Sequence, residues 1–376
     1  MIFAIGIALF LFLGAWTRYS RYFYYSGMAL LFFFVVMRSA YVSGNPDAYI
    51  YYSFFQRSPS LKDFNFQFWD YNASWGFGWG YGLLNAIAKS ISRDYFVFQF
   101  INAVLVFSLL SMILKKSELT YKDKCFFLFV YFCSKFIWYF FILLRQNVAN
   151  LIIWYILIDY DKNRKKKFWY TVRDLMLILI AMSFHSTAAL FFIVYPFYIY
   201  LSKHAKGKSI VLLSLIGTFV LTFLSEFIFS SLMLVLSFID STHFSGSSYN
   251  MKVNGNVNYI NYSLRICYLI VIYLYARASK KYKNVLICSS LAVFVGGLNH
   301  ELVIRIVEYF AIGFYFGLGK VRQEIGNKKN SELLVLFVLF VYLVFLLQYI
   351  MVNNTPLITY KFYDASRMNM FYIGGQ

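Results

Sequence analysis

Three stretches of this sequence place charged or hydrogen-bonding side chains inside apolar runs. Arg145 interrupts Ile142-Leu143-Leu144-Arg145-Gln146-Asn147, and His185 sits in Met182-Ser183-Phe184-His185-Ser186-Thr187. Asn299-His300-Glu301 and Arg305 break the run from Val285 to Leu318. A charge at the centre of a membrane helix costs about 2.5–3.5 kcal/mol even on insertion scales, so each is a functional candidate by default. Guanidinium groups bind phosphate and diphosphate through paired, charge-assisted hydrogen bonds. A histidine can take a proton from an attacking hydroxyl. Aromatic faces stack on sugar rings, while aspartate and asparagine read hydroxyls. Together these groups suit a lipid-diphosphate sugar whose isoprenoid tail lies in a membrane and whose glycan lies outside it.

The composition places these residues in a membrane. Of 376 residues, 61% are apolar, 23% aromatic and 14% charged. A soluble domain carries roughly 25% charged residues, and so few charges cannot cover a soluble surface. Apolar runs of bilayer-spanning length recur from end to end. A soluble enzyme, a disordered chain and a nucleic-acid binder are excluded. The net charge of +19 is no sign of nucleic acid, because Lys and Arg sit in short clusters between apolar runs. Cys125, Cys133, Cys267 and Cys288 all fall within apolar runs and imply no disulfide framework. No His-Glu-x-x-His, CxxC, Walker or GxGxxG pattern occurs, so no metal, ATP or dinucleotide cofactor is expected. A sugar diphospholipid carries its own leaving group and needs none. No basic leader precedes the first apolar run, which is expected to stay in the mature protein.

The basic clusters set an expected topology. Arg18/Arg21, Lys115–Lys124, Lys162–Lys167, Lys203–Lys208, Arg277–Lys283 and Lys320–Lys329 hold 22 of the 35 basic residues. The positive-inside rule puts these six loops in the cytoplasm. Six inner loops with both termini outside require twelve spans. They are expected near 2–16, 23–39, 95–114, 125–141, 146–160, 168–183, 186–202, 209–236, 264–276, 284–298, 301–318 and 332–350. The fold class is therefore an all-α polytopic membrane protein of about twelve transmembrane helices, a single transmembrane domain over 1–376. Its outer parts are a long loop at 40–94, a second loop at 237–263 and a tail at 351–376. The first loop holds fifteen aromatics between Tyr41 and Tyr81. It ends in an expected interfacial helix, Tyr81–Ile91, with Leu83, Leu84, Ile87 and Ile91 on one face. Charge parity puts Arg145, His185 and Arg305 on the side of that loop, which predicts one outer-leaflet cavity.

Each candidate also has an ordinary structural reading. Arg145 could be a snorkelling arginine, and His185 could close a helix turn by bonding a neighbour. Glu301 and Arg305, spaced i and i+4, could form an intrahelical ion pair. Arg38 reads as a boundary anchor, Lys135 has no evident partner unless Glu226 supplies one, and Arg173 and Asp174 read as solvated.

Four motifs resemble one family. Asp47-x3-Tyr51-x3-Phe55, Leu144-Arg145-Gln146-x2-Ala149, Phe184-His185-Ser186-x-Ala188 and Arg305-x3-Tyr309-Phe310, in order over roughly 40–315, look like the EpsG-type polysaccharide polymerases. These are related in role to Wzy O-antigen polymerases. The resemblance implies a metal-independent integral-membrane glycosyltransferase of GT-C-like architecture in the bacterial inner membrane. It would join oligosaccharide units carried on undecaprenyl diphosphate at the periplasmic face into a surface polysaccharide such as the O-antigen of lipopolysaccharide, with a chain-length regulator as a possible partner. Arg145 and Arg305 would hold the donor diphosphate. His185 would be the base that activates the acceptor hydroxyl, or else a diphosphate ligand. Asp47 and Tyr51 would line the vestibule, and Gln146 would orient donor or acceptor. Apart from the resemblance, His300 and Glu301, which interrupt the run from Val285 to Leu318, are candidate substrate-binding residues. Family members often carry an acidic residue before the Gly-aromatic pair ending the first loop. Here Gly76-Phe77-Gly78-Trp79-Gly80-Tyr81 has no carboxylate, which argues against a base there and leaves open whether Asp47 takes that part.

Three other functions fit some of these features. A flippase of lipid-linked oligosaccharide would use the same arginines, but would favour Gly- or Pro-broken helices near the midplane. Only four prolines occur, three of them in or beside outer loops. A membrane acyltransferase acting on surface glycan would need polar groups at the inner face, where mainly lysines occur. A ligase of finished polymer would use groups like those of a polymerase.

Overall fold

The computed structural model describes residues 2–38, 46–63, 77–136, 138–162, 168–239, 259–276, 283–296, 301–325 and a few positions between 337 and 344. Among the described residues the regular structure is helical, in fourteen α-helices. The chain falls into two compact units: residues 1–159, 165–189 and 326–376 form one, and residues 160–164 and 190–325 the other.

The first unit contains α1 (Ile2–Trp16), α2 (Ser20–Val36), α3 (Pro46–Arg57), α4 (Trp79–Ile91), α5 (Tyr95–Lys116), α6 (Tyr121–Tyr131), α7 (Leu144–Lys162, up to Asp159) and α8 (Phe168–Phe184). Small residues bring α1, α2 and α6 together: a Cβ on Gly14 would crowd Phe23 and the Cys125 sulfur, and one on Gly27 would overlap Leu11. Capping fixes two helix starts. Asp94 accepts the Phe96 N–H over 2.9 Å at the head of α5, and Thr120 accepts the Asp123 N–H over 3.3 Å while its hydroxyl donates to the Asp123 carboxylate at the head of α6.

Beyond Tyr131 the α6 helix widens into two π-helical segments, Phe132–Phe136 and Trp138–Ile142, and breaks at Leu143 before α7 begins. Such widened turns recur at functional sites. Phenylalanine packing supports this one: Phe136 stacks on Phe140 at 4.0 Å, and Phe34 meets Phe132 and Phe141 at 6.2 and 5.4 Å. Arg38 also belongs to this packing. It is 4% exposed, donates from Nη1 to the Phe141 carbonyl at 3.2 Å, and rests its guanidinium 4.9 Å over the Phe141 ring. The arginine read as a boundary anchor is thus a buried clasp, occupying a carbonyl freed where the helix changes pitch.

The opposite end of these helices carries a second polar cluster. Lys116 on α5 pairs with Asp159 on α7 at 2.5 Å, and Arg173 on α8 pairs with Asp159 at 2.5 Å and Asp174 at 2.6 Å. Asp159 is 2% exposed and Asp174 fully buried, so the pair expected to be solvated is paired inside the protein instead. The sequence pattern missed it because the link from Arg173 to Asp159 runs between two helices, which spacing along one helix does not show. Lys124 lies near the rings of Tyr24 and Tyr121, and Arg21 near Tyr121, close to the same turn between α5 and α6. Three expected inner loops, or the residues flanking them, therefore share one end of this unit.

The second unit contains α9 (Phe191–His204), α10 (Gly207–Ile239), α11 (Tyr259–Ala276), α12 (Lys283–Gly296), α13 (Glu301–Phe310) and α14 (Ile312–Ile325). Thr218 on α10 donates to the Val293 carbonyl on α12 at 2.9 Å. A Cβ on Gly313 would overlap the Ser289 backbone, and one on Gly317 would overlap Ile272, so α14 lies close against α12 and α11. The span expected over 301–318 is two helices parted at Ala311. No proline or charge marks that break, and hydropathy alone did not show it.

Helices occupy most of the expected spans. Among the described residues two stretches, Tyr95–Lys116 and Gly207–Leu224, are long and apolar enough to cross a bilayer; Ala4–Trp16, Ser20–Val36, Arg265–Leu274 and Lys283–Gly296 are shorter apolar helices. The tail 351–376, His300, most of the loop at 237–263 and most of the span at 332–350 lie outside the described residues.

Candidate functional site

In the first unit, Arg145 occupies the first turn of α7, directly after the π-helical stretch. It is partly exposed, with its guanidinium 4.1 Å over the Phe77 ring and 6.0 Å from the centre of Tyr51. Cations over ring faces are attracted by the ring quadrupole, about 0.5–2 kcal/mol depending on desolvation. Behind these two rings stands an aromatic wall. Tyr51 lies 5.8 Å from Phe77 and 5.7 Å from Tyr81, and Phe54 lies 4.5 Å from Phe77.

The wall is fixed from two directions. Lys89 on α4 donates to the Phe55 and Gln56 carbonyls at 3.0 and 2.6 Å, which fastens the C-terminal turn of α3 and so places Tyr51. Burial, with Arg93 nearby, lowers the Lys89 pKa. On the other side, a Cβ on Gly78 would overlap the Ser183 carbonyl oxygen, and one on Gly80 would overlap the Ser183 hydroxyl. Only a residue without a Cβ lets the head of α4 lie this close to the end of α8. The sequence showed these glycines only as a stretch without a carboxylate. Their role is to bring two backbones together.

His185 follows Ser183 by two residues, at the end of α8. Its N–H donates to the Ala181 carbonyl at 3.0 Å and its carbonyl accepts from Ala188 at 3.0 Å, so the backbone closes one helix and starts the short 3₁₀ turn Ser186–Leu190. The ring Nδ1 stands 2.6 Å from the Thr187 hydroxyl, and the residue is 8% exposed. The capping reading of His185 is therefore met by its backbone and Nδ1. The Phe77–Gly80 turn thus has Arg145 on the face of Phe77 and the Ser183–His185 segment against its glycines.

The other expected site residues distribute as follows. Tyr51 is 5% exposed and sits in the wall. Asp47 lies in the first turn of α3; its side chain is outside the described residues. Gln146 is 1% exposed, and so are Asn147 and Asn150 further along α7. Asn147 Oδ1 accepts from the Tyr131 hydroxyl at 3.4 Å. Arg305 is partly exposed on α13 in the second unit, one turn before Glu308, which is 2% exposed and 3.4 Å from Arg265. Glu301 begins that helix, but its side chain lies outside the described residues, as do those of Lys135 and Glu226. The structure therefore brings together Arg145, Tyr51 and the His185 segment, and holds Arg305 in the other unit.

Sequence reasoning missed Phe77, Tyr81, Lys89 and Ser183. Burial pushes the Tyr81 phenol well above its usual pKa, so it stays a neutral hydroxyl in the wall. A helix occupies the stretch expected at Tyr81–Ile91, starting two residues earlier at Trp79. Tyr81, Leu84, Asn85 and Ala88 are buried, while Leu83 and Ile87 are only partly buried and Ile91 is 67% exposed. In an apolar solvent the stripe can face outward, and the small and polar face packs inward. Among the described residues no group of three or more His, Cys, Asp or Glu side chains is placed to hold a metal ion.

Comparison with known proteins bears on the whole chain. No curated protein and no solved structure matches it. The family model described as EpsG family matches residues 22–362, a stretch that holds α3, the Phe77–Gly80 turn, Arg145, His185 and Arg305. The chain belongs to the EpsG family.

Proposed function

We propose that this protein is an integral-membrane glycosyltransferase that polymerises lipid-linked oligosaccharide units into a surface polysaccharide such as O-antigen. The observation that carries the reading is the Phe77–Gly80 turn, with a guanidinium on one side and a histidine-bearing helix end on the other. Family membership supports the same reaction class.

In this reading the donor is a glycan on undecaprenyl diphosphate, taken at the periplasmic face of the bacterial inner membrane. Arg145 offers its donors to the diphosphate and offsets the negative charge that grows as the sugar C1–oxygen bond breaks. The acceptor hydroxyl of a second lipid-linked unit attacks C1 and loses its proton. His185 takes that proton at Nε2, which requires Nδ1–H to donate to the Thr187 hydroxyl and so fixes the tautomer. A new glycosidic bond forms, and undecaprenyl diphosphate leaves. Arg305 is assigned to diphosphate binding, and Asp47 and Gln146 to substrate binding, on the strength of the family motifs; His300 and Glu301 are assigned to substrate binding because they interrupt an apolar run. The chemistry calls for no metal or cofactor. Both termini are assigned to the periplasm, and a chain-length regulator is a candidate partner.

A deletion strain tests the reading through its surface glycan on a gel. A single capped unit in place of the long ladder is the expected result. Loss of even the single unit from the surface would move the function to export or ligation.

A further inference from the structure

At the Lys116 end of the first unit, the turn between α1 and α2 meets the turn between α5 and α6. Tyr121, the first residue of α6, carries a cation from each turn against its ring. The Arg21 guanidinium stands 6.0 Å from the ring centre and the Lys124 ammonium 5.0 Å from it. The Tyr121 hydroxyl lies 3.3 Å from that of Tyr25 on α2, and both cations are within electrostatic reach of the Tyr25 hydroxyl. Two cations and two phenols thus converge. Among the described residues neither cation meets a carboxylate, whereas Lys116 close by is neutralised by Asp159. The acid next to Lys124, Asp123, accepts from the Thr120 hydroxyl and amide. The surroundings indicate which anion fits. Trp16, Tyr19 and Tyr22 at the same turn are exposed, as aromatic side chains at headgroup depth are. From Tyr25 the exposed face of α2 continues through Ala29 and Phe33, at i+4 and i+8, an apolar track that an acyl chain can follow.

We propose that Arg21, Lys124 and the hydroxyls of Tyr25 and Tyr121 form a binding site for the phosphate of an anionic phospholipid. The guanidinium and the ammonium supply the charge, the phenols donate to phosphate oxygens, and an acyl chain lies along the exposed face of α2. One headgroup then bridges the α1–α2 turn to the α5–α6 turn. Basic side chains at a membrane surface attract anionic lipid in general. What sets this place apart is that cations from two turns meet at one pair of hydroxyls without an internal counter-ion. The site lies at the end opposite Arg145 and does not depend on the polymerase reading.

The full chain would be reconstituted in phosphatidylcholine vesicles with and without phosphatidylglycerol, and the lipid it retains on extraction identified by mass. Its preference for phosphatidylglycerol should fall about fivefold in Arg21→Gln or Lys124→Gln and about thirtyfold when both are changed, from the attraction of each cation. Tyr25→Phe with Tyr121→Phe keeps both rings and every charge and removes only the hydroxyls. It should lower the preference by about fivefold. Lys203→Gln with Lys206→Gln removes the same charge from a turn of the other unit and should leave the preference as it is in the native protein. An unchanged preference in the Arg21/Lys124 variant or in the phenylalanine variant overturns the site. So does an equal loss in the Lys203/Lys206 variant, which would make summed charge the only cause. Inorganic phosphate added to phosphatidylcholine vesicles tests the other source of the same chemistry. If it raises the melting temperature as much as phosphatidylglycerol does, and only when Arg21 and Lys124 are present, the occupant is a soluble phosphate and the lipid assignment fails.

Discussion

The first unit holds two buried polar clusters at opposite ends of the same helices, and they neutralise charge in different ways. At the Lys116 end, two cations meet two carboxylates at 2.5–2.6 Å, and three helices are tied together. At the Arg145 end, a guanidinium lies on the faces of Phe77 and Tyr51, beside a turn whose glycines lie against Ser183 at the end of α8. A matched set of charges satisfies itself and has little left to offer a ligand. A guanidinium seated on ring faces carries the planar fork geometry that suits a bidentate anion. The manner in which a buried charge is neutralised separates a staple from a candidate site.

Substitution can break this contrast. The largest effect is expected for Arg145→Ala, with about 10²–10³-fold lower polymerisation of the lipid-linked unit and an unchanged melting temperature; turnover by the purified variant checks it. Arg145→Lys should rescue poorly, because an ammonium lacks the fork. His185→Ala should cost about 10²-fold and flatten the pH–rate profile, and an unchanged profile would remove His185 as base. Gly78→Ala should lower both stability, by about 1–3 kcal/mol, and activity, since the added Cβ meets backbone and not a mobile side chain. Asp159→Ala should show the reverse signature of Arg145→Ala. A thermal-unfolding measurement should give a loss of about 2 kcal/mol, reduced because Lys116 and Arg173 are 28% and 33% exposed and can turn to solvent. Turnover per folded molecule should barely change. Least affected should be Tyr131→Phe, which removes a 3.4 Å hydrogen bond worth under about 1 kcal/mol.

Hydropathy and charge spacing located most of the helices, because apolar runs and lysine clusters are local signals. The same signals identified Arg145 and His185, and within the first unit they put the basic turns at one end. They misread residues whose environment is made by distant partners. Asp174 has no local sign of burial, yet Arg173 holds it at 2.6 Å while reaching Asp159 on another helix. Arg38 looks like a boundary residue until the Phe141 carbonyl, 103 positions away, supplies its acceptor. Gly78 and Gly80 were visible in the sequence, but the overlap they avoid is with Ser183, and periodicity cannot find a contact of that kind.

The π-helical stretch before Arg145 has a consequence for what this sequence can tolerate as it changes. Each residue added to or removed from a helix rotates everything beyond it by about 100°, and a widened turn absorbs an extra residue within the helix. Losing a single codon between Tyr131 and Leu144 would then tighten the widened turn towards an ordinary α-turn and leave the direction of Arg145 nearly unchanged, whereas the same loss inside α7 would rotate every side chain beyond it.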